Sequence, residues 1–503
     1  MILSKYNLQK INVAGLQLPH ENAFDLPEKV LQFGTGVLLR GLPDYFIDKA
    51  NRNGIFNGRI VVVKSTDTGS AIDFEKQDNL YTLYSKGIEN GIEVEEQVIC
   101  SSISRVISAA NDWAAVLEVA RSPDLQIVIS NTTEVGIQLV REDVNKKPPA
   151  SYPGKLLAVL YERYKTFNGS ANSGLIIIPT ELIVDNGKKL EAIVLELAHL
   201  NKLEPAFMDW LETSITFCNS LVDRIVPGKP NELLAAELEK ERGYTDDLHI
   251  MSETYSLWAI EGNDKAAHVL SFSQADKGIV LTQDIELFRE LKLRLLNGSH
   301  TLSCALAFLS GFNTVKEAMD DKDFLQFITN LAFNEIIPAI PYQIDLSVAE
   351  DFGRNVLDRF RNPYIRHEWL SIALQYSTKI KMRVVPLLLN YSKTYNSIPQ
   401  NMALGFAAFI RFMKVDQQAD GTFIGSINGK TYKVIDNQAA RFSKVWQTAD
   451  INSVVETVLK NKELWDTDLS ALPNFKETVI SILDKIMKEG VSPNITAPMN
   501  SII

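Results

Sequence analysis

Long apolar runs, abundant cysteine and an excess of basic charge are all missing from this 503-residue sequence. No uninterrupted apolar stretch reaches the roughly eighteen residues that a membrane-spanning helix requires. Cys100, Cys218 and Cys304 are few, far apart and odd in number, which excludes a disulfide framework and a C-x-x-C metal motif. A net charge of −11 provides no general basic face for nucleic acid. The opening "MILSKYNLQKINVAG" lacks the basic region and apolar core of a secretory leader. Glycine (26) and proline (19) are too sparse for a disordered or low-complexity chain, and no internal repeat stands out. The expectation is a soluble cytoplasmic protein that acts on a small molecule, with no nucleic-acid or membrane partner.

The first half alternates short apolar runs with amphipathic segments. "KVLQFGTG" (29–36) reads as a buried strand ending in a glycine turn, and "VLLRGLPDYFIDKAN" (37–51) as a helix interrupted by Pro43. "RIVVVKST" (59–66), "DLQIVISNTTEVGI" (124–137) and "SGLIIIPT" (173–180) read as further buried strands, and "SETYSLWAIEG" (252–262) as another carrying Trp258. Strands alternating with helices predict a parallel sheet with crossover helices. Ligands of such sheets lie beyond the carboxyl ends of the strands, where Phe33, Gly34, Gly36, Val37, Leu38 and Ser130, Asn131, Thr132 and Thr133 would stand. Glycines there let backbone N–H groups approach a pyrophosphate, although Leu39 occupies the third glycine position of G-x-G-x-x-G and an ordinary tight turn remains the alternative. After the second strand, Asp67 would accept hydrogen bonds from ribose hydroxyls, whereas Lys64 would attract a 2'-phosphate. Asp223 and Arg224 sit between apolar residues in "SLVDRIVPG", as an internal ion pair or as site residues.

Helical periodicity dominates after residue 284 or so, and "SFSQADKGIVLTQD" (271–284) reads as the junction. The division expected is an α/β, Rossmann-type parallel-sheet domain over 1–280 followed by a mostly α-helical domain over 281–503. Asn428-Gly429 in "TFIGSINGKTYKVI" (422–435) marks a hairpin among the helices.

"KLRLLNGSHT" (292–301) puts Lys292, Asn297 and His300 on one side of a helix, with Lys292 and His300 about 80° apart and Asn297 about 60° beyond. They converge on a ligand, or else they are a solvated lysine, an N-cap before a second helix starting near Ser299, and a packed histidine.

The string K-x-x-x-x-N-x-x-H resembles the signature of the mannitol dehydrogenase family of polyol-specific long-chain dehydrogenases. In the same order along the chain, "QFGTGVLLRG" resembles that family's G-x-G-x-x-x-R cofactor turn, "SNTTEVGI" its fourth-strand loop, "VDRIVP" its interdomain segment and "ETYSLWAIEG" its E-P-x-x-x-W-x-I-E strand, with Thr254 in place of proline. "FRNPYIRHEWLSIALQYSTKIKMRVVPLLL" and "IPTELIVDNGKKL" resemble the branch that interconverts D-tagaturonate and D-altronate in hexuronate catabolism.

The resemblance implies NAD as cofactor, no catalytic metal, Lys292 as general acid and base, Asn297 as oxyanion donor and His300 as an orienting hydrogen-bond partner. Where relatives acting on mannitol carry an asparagine, this chain has Leu182, which leaves Asn186 as the substitute donor. Asp223 joins it on the substrate side. Among Arg366, His367, Lys379, Lys381 and Arg383, the pair Arg366 and His367 is expected to take the sugar-acid carboxylate. A fructuronate reductase, another hexitol dehydrogenase of the family, or a non-catalytic NAD sensor are the alternatives.

Overall fold

The structure is a computed structural model that describes residues 1–65, 72–132, 136–448 and 450–491. The chain gathers into two units, Met1–Gly87 with Glu93–Ile285, and Ile88–Ile92 with Glu286–Ile503.

The first unit is built on six parallel strands, β1 (Glu28–Phe33), β2 (Arg59–Lys64), β3 (Ile103–Ser108), β4 (Ile127–Ser130), β5 (Ile176–Pro179) and β6 (Thr216–Phe217), in the order β3-β2-β1-β4-β5-β6. This is the doubly wound dinucleotide-binding order, which reverses between β1 and β4. Both faces of the central strands are covered, so their middles are largely apolar: Leu31, Phe33, Val61, Val63, Val128 and Ile177 enter the core on one face. Their neighbours Val30, Ile60, Val62, Ile127, Ile129 and Ile176 enter the core on the other. After β1 the chain forms α1 (Val37–Gly41), breaks at Leu42 and restarts as α2 (Pro43–Arg52), because Pro43 fits only a first helical turn.

Two segments add to the sequence reading. Trp258 lies on strand Leu257–Glu261, which stands outside the parallel sheet and pairs antiparallel with Ser220–Asp223 and parallel with Ile279–Thr282. The expected junction 271–284 therefore contains a strand, since the run Ile279–Thr282 follows a turn at Asp276 and needs only a neighbour to pair with.

The second unit is helical apart from an antiparallel ribbon, Val415–Gln417, Phe423–Ile427 and Lys430–Val434, whose tight turn uses Asn428 (φ 49°) and Gly429 (φ 77°). Its central helix runs from Glu286 to Leu309 and changes pitch once: a helix α3 (Glu286–Leu291), a π turn (Lys292–Leu296) and α4 (Asn297–Leu309). Against α4 packs α5 (Gln400–Phe412), and the approach is close enough that a Cβ on Gly405 would stand 2.5 Å from the Leu302 carbonyl oxygen. Gly405→Ala must push the two helices apart and should lower unfolding free energy by about 1–3 kcal/mol, read from denaturant midpoints. Unchanged stability would show that the contact is not tight.

Candidate active site

The π turn decides how Lys292 and Asn297 meet. On an α-helix residues five apart lie about 140° from each other. Here the Asn297 N–H donates to the Lys292 carbonyl, an i to i+5 bond, so one turn closes over five residues and brings Asn297 roughly over Lys292. Asn297 itself has helical backbone angles and the helix continues through Gly298, which removes the reading of Asn297 as an N-cap. Lys292 and Asn297 are half-buried. Among the described residues no hydrogen-bond partner reaches the Asn297 carboxamide.

His300 is 8% exposed. Its ring stacks on Phe360 at 3.9 Å and meets His367 edge-on at 5.1 Å. Its Nε2 has no hydrogen-bond partner among the described residues. Burial, followed by the positive charges of His367, Arg359, Arg383 and Lys379, holds the imidazole pKa well below the usual histidine value. The ring is therefore neutral at pH 7 and suited to hydrogen bonding rather than to proton storage.

Of the unit's further π turns among the described residues, Leu331–Ile336 and Ile380–Val384, the latter packs against the first and precedes Pro386. Pro386 has no N–H for the Met382 carbonyl four residues earlier. Arg294 takes that place: its Nη1 donates to Met382 O (2.5 Å) and Arg383 O (3.2 Å), while its Nε binds Glu290 at 2.9 Å. Sequence reading passed over Arg294, although the later proline was a signal that a carbonyl would need an outside donor.

The expected carboxylate pair is divided. Arg366 points to solvent, 76% exposed and paired with Glu368 at 3.1 Å. His367 turns inward to His300. Lys381 pairs with the exposed Asp466. Arg383 instead lies against α4, its Nη1 donating to Thr301 Oγ1 at 3.1 Å and Asn297 O at 3.5 Å.

In the first unit the glycine turn fits a phosphate group. Gly34 has φ 130° and a Cβ there would lie 2.9 Å from the Asn131 carbonyl oxygen, so β1 and β4 approach through it. A Cβ on Gly36 would meet nothing within 4 Å, which leaves the backbone at the start of α1 open. Val37 and Leu38 are half-buried beside it, whereas the Phe33 ring is in the core against Tyr152. Ser130 and Thr132 serve a buried carboxylate that sequence reading missed: Glu181 accepts from Ser130 Oγ (3.2 Å), Thr132 N (2.8 Å) and Thr132 Oγ1 (2.9 Å). Asn131 donates to Thr180. Lys64 is 8% exposed at the end of β2. Asp67 and Thr133 lie outside the described residues.

Asn186 is corrected from donor to structural pin. It is 1% exposed, and its amide donates to the carbonyls of Pro179, Glu181 and Ser220, each at 3.0 Å, leaving no N–H for a substrate oxygen. Asp223 is buried at the end of its strand, while Arg224 donates to the Gly41 and Glu253 carbonyls and to Ser85. Arg40 of the glycine-turn motif is likewise buried and donates to Leu248 O.

Two outcomes are expected from this geometry. Arg294→Met strands two carbonyls and Glu290 and should cost about 3 kcal/mol of stability, measured by denaturant unfolding. Because His300 stays neutral, the pH profile of kcat/KM should show no break between about pH 6 and 7 that His300→Asn abolishes. Such a break would mean that the imidazole titrates in its usual range.

Comparison with known proteins places these features. The Mannitol dehydrogenase Rossmann domain matches residues 28–273 and the Mannitol dehydrogenase C-terminal domain residues 284–487. The altronate oxidoreductase of Bacillus subtilis (strain 168) is 37% identical over 95% of this chain and 97% of its own length. That of Shigella flexneri is 36% identical over 92% and 95%. In structure the chain resembles the Pseudomonas fluorescens mannitol 2-dehydrogenase ternary complex with NAD and D-mannitol (TM-score 0.67, 23% identity, 98% and 99% covered). It also resembles a substrate-free D-sorbitol dehydrogenase (TM-score 0.80, 22% identity, 98% and 100% covered). With both halves matched in order and more than nine-tenths of the chain aligned to relatives above 35% identity, the chain belongs to the mannitol dehydrogenase family.

Proposed function

We propose that the protein is an NAD-dependent oxidoreductase that interconverts D-tagaturonate and D-altronate. The observation that carries the reading is the grouping of Lys292, Asn297 and His300 along one helix, with His300 Nε2 buried and without a hydrogen-bond partner among the described residues. The altronate oxidoreductases at 36–37% identity support the substrate.

Gly34, Gly36, Val37 and Leu38 would hold the pyrophosphate of NAD, with backbone N–H groups at the start of α1 facing it. When bound, the cofactor would supply a hydride as NADH in reduction and accept one as NAD+ in oxidation. Reduction of a ketone also needs a proton at its oxygen and stabilisation of the charge that builds there. Lys292 gives that proton as an ammonium group and in oxidation removes the hydroxyl proton as an amine. The Asn297 carboxamide donates to the same oxygen as charge develops, which favours the transition state over the ground state. His300 Nε2 holds a neighbouring hydroxyl and so fixes the ketose against Lys292.

NADH oxidation assayed with tagaturonate, fructuronate, fructose and phosphorylated fructose tests the reading. Tagaturonate should give the highest kcat/KM, and preference for any other member would replace it. Lys292→Ala should lower kcat by about 10²- to 10⁴-fold with NADH binding retained. Since Lys292 gives a proton in one direction and takes it in the other, the variant should lose altronate oxidation and tagaturonate reduction together. Near-normal turnover by the variant in either direction would make the lysine structural.

A further inference from the structure

Two of the cations around His300, Arg383 and Lys379, have no carboxylate to answer them among the described residues. Arg383 is half-buried, and besides its bonds to Thr301 and Asn297 O its Nε and Nη2 find no acceptor among the described residues. Lys379 is half-buried and donates only to the Ile372 carbonyl, at 2.7 Å. Among the described residues, no carboxylate stands within ion-pair distance of either. The charges that act on Lys379 include Arg383 itself, and those that act on His367 are Arg359 and Lys379. Like charges drawn together in a partly desolvated place are unfavourable unless an anion joins them. Elsewhere on this unit some cations are matched, as Lys381 is by Asp466, Arg441 by Glu463 and Arg366 by Glu368.

The position of the unmatched charge is specific. Thr301 lies one turn beyond Asn297 on α4, so the Arg383 guanidinium sits against the helix segment that carries Asn297 and His300. The free edge of a guanidinium offers two parallel N–H groups, the geometry that a carboxylate takes.

We propose that Arg383, together with Lys379 and His367, forms a carboxylate subsite beside His300, and that this subsite, not Arg366, selects sugar acids over neutral ketoses. The inference rests on the keto-acid reading above and assigns its specificity to residues of this chain. Arg383 is the anchor because it alone presents a planar fork. Lys379 adds charge, and His367 fixes the ring of His300 while facing the same anion.

The test compares D-tagaturonate with D-tagatose, the ketose without the carboxylate. Arg383→Gln should reduce kcat/KM for the acid by about 10- to 100-fold, chiefly through KM, and that for tagatose by less than about 3-fold. Arg383→Lys should recover part of the loss. Equal losses on both substrates, with NADH affinity intact, would overturn the subsite and leave the proposed reaction standing. If Arg383→Gln unfolds, Lys379→Gln takes its place with the same expected ordering.

Should the wild type reduce no keto sugar acid, the proposed reaction fails, and calorimetry with D-gluconate on the NADH complex decides the subsite separately. Binding by the wild type that Arg383→Gln abolishes sustains it. Absence of binding by the wild type, or binding that the variant retains, overturns it.

Discussion

The helical unit depends on a proline that cannot make a hydrogen bond. Pro386 leaves the Met382 carbonyl without its usual donor, the helix widens into a π turn, and Arg294 reaches across from another helix to fill the gap. That one guanidinium also bonds Arg383 O and Glu290, so it registers the turn carrying Arg383 against the turn carrying Lys292. Two of the unit's three π turns among the described residues take part in this arrangement. The first brings Lys292 beneath Asn297, and the second presents Arg383 toward Thr301.

One turn further along α4 the regular ladder is interrupted again. The buried Tyr376 hydroxyl donates to the Thr301 carbonyl at 2.6 Å and accepts from the Ala305 N–H at 3.0 Å, the two groups that would bond each other in a plain α-helix. A side chain inserted in this way bends a helix. The segment from Lys292 to Ala305 thus departs from the plain hydrogen-bond ladder on both sides of His300, whose ring stacks on Phe360 and meets Trp369 edge-on. Helix geometry sets how Lys292, Asn297 and His300 stand relative to one another.

The sequence exposed some of this and hid the rest for physical reasons. β1, β2, β4 and β5 were readable because strands buried on both faces are apolar without interruption. β3 was not: an edge strand alternating buried and half-exposed residues, "ISRVIS", resembles a loop with hydrophobics in it. The hairpin Tyr81–Glu89 with Ile92–Cys100 carried a clear Asn90-Gly91 turn, yet the charged residues of its outer half masked the strand signal. Lys292, Asn297 and His300 were legible because their chemical types stand out against an apolar helix. Arg383 and Arg366 were not separable, since linear proximity to a substrate segment says nothing about which arginine turns inward.

The same limit explains Glu181 and Asn186. Both belong to a polar loop after β5, where residue type suggests ligand contact. Burial reverses that inference for Asn186, because an amide whose donors already meet three backbone carbonyls has no capacity left for a ligand. Glu181 turns the argument round. A buried carboxylate costs free energy unless donors surround it, and it gathers Ser130 and Thr132 for that purpose. It thereby fixes the end of β4 opposite Gly34, at the place where the strand order reverses and the sheet offers open backbone to a nucleotide. The glycine-turn end of the sheet is shaped by a carboxylate buried behind it, just as the π turn Ile380–Val384 is completed by an arginine from another helix.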